Sequence, residues 1–160
     1  MNDQTAAELI ESLSQSPRQV ANLLRDLPSQ CLTLKPSTDE FSFVENVCHL
    51  RDLEVEGYAP RISSILNEAN PQLLDFDGAR VACERDYNRQ DVVAALNAFS
   101  NARNQNMAVL RTVADEQLKR TGELQGVGQI TLARLLQMMW EHDEGHLEDL
   151  QRLCRRMKQH

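Results

Sequence analysis

The chain has 160 residues, 41% of them apolar, and a formal net charge of −7. That length is one ordinary domain, large enough to bury roughly 70% of its unfolded surface without a disulfide. No apolar run approaches the ~20 residues of a membrane helix, and the acidic balance argues against a nucleic-acid surface.

The four cysteines, Cys31, Cys48, Cys83 and Cys154, form no Cys-x-x-Cys pair, and the N-terminus shows no basic region followed by an apolar stretch. Reduced thiols and a cytoplasmic location are therefore expected. The basic cluster Arg152, Arg155, Arg156 and Lys158 falls in the last turns of a predicted helix, where it complements the negative end of the helix dipole.

Helical spacing runs through the whole chain, and no segment has the alternation of a strand. A short helix is expected over residues 4–14, with Ala6, Leu9, Ile10 and Leu13 on one side. Ser16 and Pro17 read as the cap and first position of another helix, which reaches about Leu27. Pro28 and Pro36 bracket a connector. Ser42 and Glu45 have capping-box spacing and open a helix to about Ala69, with a kink expected at Pro60. A polar loop containing Pro71 and Gly78 follows. The third long helix spans about 89–115, from Asn88 or Asp91, and carries Val92, Leu96, Phe99, Met107 and Leu110. Residues 122–128 read as a turn or loop, and Thr131 caps a last helix to about Met157. The expected fold is all-α, a single four-helix-bundle domain over residues 1–160 with a short extra N-terminal helix.

In the last helix Leu135, Met139, His142, His146, Leu150, Leu153 and Met157 follow one another by steps of three or four, the spacing of an inward seam. Two imidazoles one turn apart on that seam are close enough to grip one ion. Alternatively, each is a core histidine satisfied by its own hydrogen bond. His49 is the third candidate. The apolar stripe of its helix runs through Val44, Val47, Leu50 and Tyr58, whereas His49 lies beside Leu53 on a line with Asn46, Asp52 and Glu56. That line is either solvated surface or the polar wall of a pocket, and periodicity alone favours surface.

Residues 36–54, with Phe-Ser-Phe-Val-Glu-Asn-Val-Cys-His-Leu-Arg-Asp at their centre, resemble a stretch of the DinB-like (DinB/YfiT) superfamily in which an aromatic-led helix carries His-Leu-x-Asp. Residues 128–147 resemble that superfamily's closing motif, a glycine, a Thr-Leu helix start and then His-x-x-x-His-Leu. Arg103 and Pro17 fit the same pattern, while Phe43 stands where many relatives have tryptophan. The resemblance implies an up-down-down-up bundle holding a divalent metal, zinc or nickel, through His49, His142 and His146. It also implies a metal-dependent enzyme, either hydrolase-like or a transferase using a low-molecular-weight thiol. The rival expectation is a non-catalytic, stress-related bundle with a structural metal.

Asp52, Glu56 and Asp149 are the nearest carboxylates that could hold ring N–H groups, or else plain surface charges. Cys48 is read as packing, since consecutive helical residues point ~100° apart. Tyr58 and Trp140 line either the pocket mouth or the core. His142-Asp143-Glu144-Gly145-His146 puts aspartate where a zincin protease needs glutamate, and only Asp143-x-x-His146 approaches the Glu-x-x-His spacing of a di-iron bundle. His160 is terminal and is given no role. A small molecule is the expected partner, with neither nucleic acid nor membrane, and spare apolar helix surface would allow a homodimer.

Overall fold

The computed structural model describes residues 4–159, so His160 lies outside the described residues. The first helix, α1 (Ala6–Arg25), begins at a Thr5–Glu8 capping box and runs straight through Pro17. The two helices expected around Ser16 are therefore one. Pro17 cannot donate to the Leu13 carbonyl four residues back, which would normally break the helix. Here Arg103 Nη1 donates to that carbonyl at 2.8 Å. A side chain 90 residues away replaces the missing backbone donor.

Helix α2 (Phe43–Asp52) opens at the expected Ser42–Glu45 box. It passes through a π-helical segment, Leu53–Tyr58, into α3 (Ala59–Asn67). Pro60 sits in the first turn of α3, so the kink anticipated there takes the form of widened turns just upstream.

The expected loop after α3 contains β1 (Gln72–Leu73), α4 (Gly78–Glu84) and a 3-10 turn over Tyr87–Arg89. Helix α5 (Val92–Leu110) starts at the Asp91 cap and stops short of the expected end; α6 (Asp115–Leu118) follows. Residues 121–131 form a hairpin, β2 (Thr121–Leu124) and β3 (Gly128–Thr131), with β2 also pairing parallel to β1. The expectation of no strands is thus overturned. Strands of two to four residues are too short to show an alternating pattern. Gly126 and Gly128, at φ +79° and +108°, form the turn in a region that L side chains rarely adopt. Helix α7 (Leu132–Met157) begins at the expected Thr131 cap.

Side-chain contacts give the helix directions. Arg51 reaches Gln90 while Asn106 reaches Glu54, so α2 and α5 run parallel. Cys154 meets Leu23 at one end of α1 and α7, and Leu9 and Leu13 share a cluster with Leu132 and Leu135 at the other, so these two are also parallel. Asn46 faces His146 and His49 faces His142, so α2 and α7 are antiparallel. This is the up-down-down-up bundle, and its two parallel central helices require the long crossover through β1 and α4. No described helix is long and apolar enough to cross a membrane.

The apolar interior is in two parts. One holds Val20, Val47, Phe99 and Leu150; the other holds Leu13, Ile65, Met107 and Met139. Between them lies a polar layer. Arg103, fully buried, donates to both oxygens of Asp143 at 2.6 and 3.1 Å and to Glu54 at 2.8 Å. Asn106 donates to the other Glu54 oxygen at 2.8 Å, and the guanidinium lies 4.9 Å from the Phe99 ring centroid.

Candidate metal centre

His142 and His146 project from α7 one turn apart, and His49 faces them from α2. The Nε2 atoms of His49 and His142 are 3.0 Å apart, and those of His142 and His146 3.1 Å. All three candidate residues therefore come together, with ligand atoms within 4.8 Å of one another. His49 is only 8% exposed, contrary to the surface position that periodicity favoured. The polar line it occupies is an inner wall, because the connector before α2 and the crossover segment cover it: Phe41 from the first and Phe76 from the second pack on the imidazole at 5.6 and 6.0 Å.

The tautomer of His146 follows from the start of α2. The Asn46 amide nitrogen donates to the Ser42 carbonyl at 2.9 Å, so its oxygen must face His146 Nδ1, 2.7 Å away. That oxygen can only accept, so His146 carries its proton on Nδ1 and its Nε2 presents a lone pair. The helix cap thus orients a ligand through one intervening side chain.

The cluster fits a cation better than it fits itself. His142 Nε2 lies close to both other Nε2 atoms, and a single proton can satisfy only one of those contacts. At least one pair of lone pairs is left opposed, and the buried Nδ1 atoms of His49 and His142 have no partner. Burial favours the neutral rings. It pushes His49 down to about 4 with help from the His146 charge, against the pull of Asp52. His142 is pushed down to about 2, by burial and then by His146 and His49. His146 is lowered by burial, opposed by Asp149 and Asp143. Three neutral imidazoles with converging lone pairs suit zinc or nickel. Tetrahedral Zn–N bonds would set adjacent nitrogens about 3.3 Å apart, only slightly wider than the spacing here.

The carboxylates singled out in the sequence do not touch the imidazoles. Asp52 accepts from Arg51 at 2.7 Å, Arg85 at 2.8 Å and Tyr87 at 2.6 Å; Glu56 pairs with Arg85, and Asp149 with Arg152. Asn46 takes the role assigned to them, and only its place three residues before His49 hinted at it. Asp143 has both oxygens on Arg103, so it cannot serve as a protease general base. Cys48 is buried against Tyr87 and Gln90, and burial raises its thiol to about 11, in keeping with packing. All four cysteines are free. Tyr58 meets His142 edge-on at 6.2 Å and is buried, while Trp140 is partly buried against the second apolar cluster.

Gly78, the first residue of α4, is a requirement that the sequence did not reveal. A Cβ there would stand 2.5 Å from His49 Cε1 and 2.7 Å from Nδ1. Gly78→Ala should leave the fold intact, since the imidazole can swing away, but should weaken zinc binding roughly 10-fold to 100-fold, as disturbed ligand support does elsewhere. Competition with a chromophoric chelator measures this, and unchanged affinity would show that the close approach is irrelevant.

Known proteins share this architecture. The profile of the DinB superfamily matches residues 12–150. A curated protein of Oceanobacillus iheyensis, named "Putative metal-dependent hydrolase OB0782", is 23% identical over 149 residues, covering 93% of this chain and 86% of that protein. The solved structure of YfiT from Bacillus subtilis, described as a probable metal-dependent hydrolase with an unusual four-helix bundle topology, superposes with a TM-score of 0.90. It is 21% identical, and the match covers 99% of this chain and 90% of that one.

Proposed function

The chain belongs to the DinB superfamily, and from that premise we propose that it is a metal-dependent enzyme with a divalent ion, zinc or nickel, on His49, His142 and His146. Its substrate is a small electrophile, attacked by water or by a low-molecular-weight thiol. The observation that carries this reading is the convergence of three imidazole nitrogens with no fourth protein ligand among the described residues. A structural metal would favour a closed shell of four. A divalent ion held by three neutral imidazoles keeps its full charge and supplies Lewis acidity, lowering the pKa of a bound water or thiol toward neutrality.

The protein's own residues orient the ligands and keep them dry. Asn46 fixes the His146 ring, Gly78 makes room for His49, and Phe41 and Phe76 cover the His49 side. Arg103 engages Glu54 and Asp143, so neither carboxylate would be free to join the three histidines on an ion. These two carboxylates and Asp52 are all tied to arginine, leaving none of them free as a general base. That supports the thiol-transfer version, in which the nucleophile is the more acidic and needs no base once deprotonated. The names of both relatives support the hydrolytic version.

Cobalt-substituted protein separates the two. Adding millimolar cysteine or 2-mercaptoethanol should produce a new thiolate-to-cobalt absorption band. A spectrum that no thiol perturbs would remove the transferase version and leave hydrolysis.

A further inference from the structure

Two largely buried polar side chains beside the histidines keep donors that no protein group takes up and that solvent can reach. Tyr58 is 5% exposed, and among the described residues its hydroxyl bonds to no protein group and is not sealed from solvent. Arg61 is 7% exposed, and among the described residues no carboxylate lies within ion-pair distance of it. Its Nε and Nη2 both donate to the Leu74 carbonyl, at 3.2 and 2.8 Å, which leaves Nη1 uncommitted. Asp75 acts on Arg61 only at longer range.

The two side chains adjoin the metal centre. The Arg61 guanidinium lies 5.7 Å from the Tyr58 ring centroid, and that ring meets His142 edge-on. The guanidinium lies one turn back, over Gly57: a Cβ there would stand 3.8 Å from Arg61 Cζ, an ordinary contact. The arginine therefore folds back along its helix toward the N-terminal side, the direction of His49. A cleft of about 180 Å³ bordered by Gly57, Pro60, Arg61, Ser64 and Leu74 reaches the guanidinium from the side away from the histidines, and Tyr58 lies behind the arginine between it and His142. Glu56 also borders this cleft, but its carboxylate is paired with Arg85 at 2.8 Å and does not neutralise Arg61.

We propose that Arg61 and Tyr58 form a seat for a substrate carboxylate next to the three-histidine centre, so that the substrate is a small organic acid. An anion there supplies the counter-charge the buried guanidinium lacks. The remaining donors, Nη1 and the tyrosine hydroxyl, match the two oxygens of a carboxylate, whereas a dianionic phosphate calls for more. The inference rests on the metal-dependent reading above, naming the class of molecule that site takes.

The probe is butyrate, titrated calorimetrically into zinc-loaded, tag-free protein, with butyramide and inorganic phosphate as controls. Wild type should bind butyrate roughly 10-fold or more tightly than Arg61→Gln, the scale of one charge-assisted contact. Tyr58→Phe, which removes only an unpartnered hydroxyl and so should fold normally, should bind it several-fold more weakly than wild type. Zinc content should be equal in all three, and butyramide should not bind. Butyrate affinity that is absent in wild type, or the same in all three proteins, overturns the carboxylate seat while leaving the metal reading intact. Arg61-dependent binding of phosphate tighter than that of butyrate also overturns it. Failure to retain zinc, by contrast, is a failure of the metal-dependent reading, and the butyrate comparison still reports on Arg61.

Discussion

Replacing Arg103 with methionine should destabilise the protein by about 3–5 kcal/mol, because it strands Glu54 and Asp143 in the interior without their counter-charge. Glu54 is fully buried and Asp143 is 2% exposed. Neither can reach water without pulling apart α2, α5 and α7. The same change frees the Leu13 carbonyl that Pro17 cannot satisfy, so α1 is weakened as well. Against a typical total stability of about 5–15 kcal/mol, the loss should lower the melting temperature by roughly 10 °C or more. Urea unfolding followed by circular dichroism checks the figure, and a loss below about 1 kcal/mol would mean that the network is not the joint described here. Replacing Glu54 and Asp143 with leucine in the Arg103→Met background should restore much of the stability, since the cost lies in the unpaired charges rather than in the missing arginine.

What the sequence alone reveals follows the range of the interactions. The Ser42–Glu45 box, the Thr131 cap and the His142–His146 spacing involve residues within a turn of one another, and each is legible directly, while the start of α5 reads as either Asn88 or Asp91. Pro17 reads locally as a helix start because the donor that rescues the Leu13 carbonyl comes from α5. His49 reads as surface by periodicity because its polar line faces a crossover segment whose path no local pattern discloses. The resemblance to the DinB-like superfamily, rather than helical spacing, put it beside the other two histidines. Asn46 was visible on that line, yet its role depends on the Ser42 carbonyl holding its amide in one orientation. The requirement for glycine at position 78 arises where α4 passes the imidazole, a meeting set wholly by tertiary packing. Strands β1 to β3 are short enough that their hydrogen bonds, not their side-chain pattern, define them.

The second large effect concerns the metal itself. Three neutral imidazoles, His49 buried and His142 and His146 half-buried, crowd their lone pairs together, and one bound ion relieves both that repulsion and the cost of burying them. Binding to the folded state alone should also stabilise the bundle, by about 2.7 kcal/mol when free metal stands at 100 times its dissociation constant. Chelation should therefore lower the melting temperature of wild type and leave His146→Ala, which offers only two nitrogens, nearly unaffected. Elemental analysis of tag-free protein, wild type beside His146→Ala, is the most direct test. The geometry predicts about one equivalent of zinc or nickel per wild-type chain and almost none in the variant; negligible metal in both would contradict it.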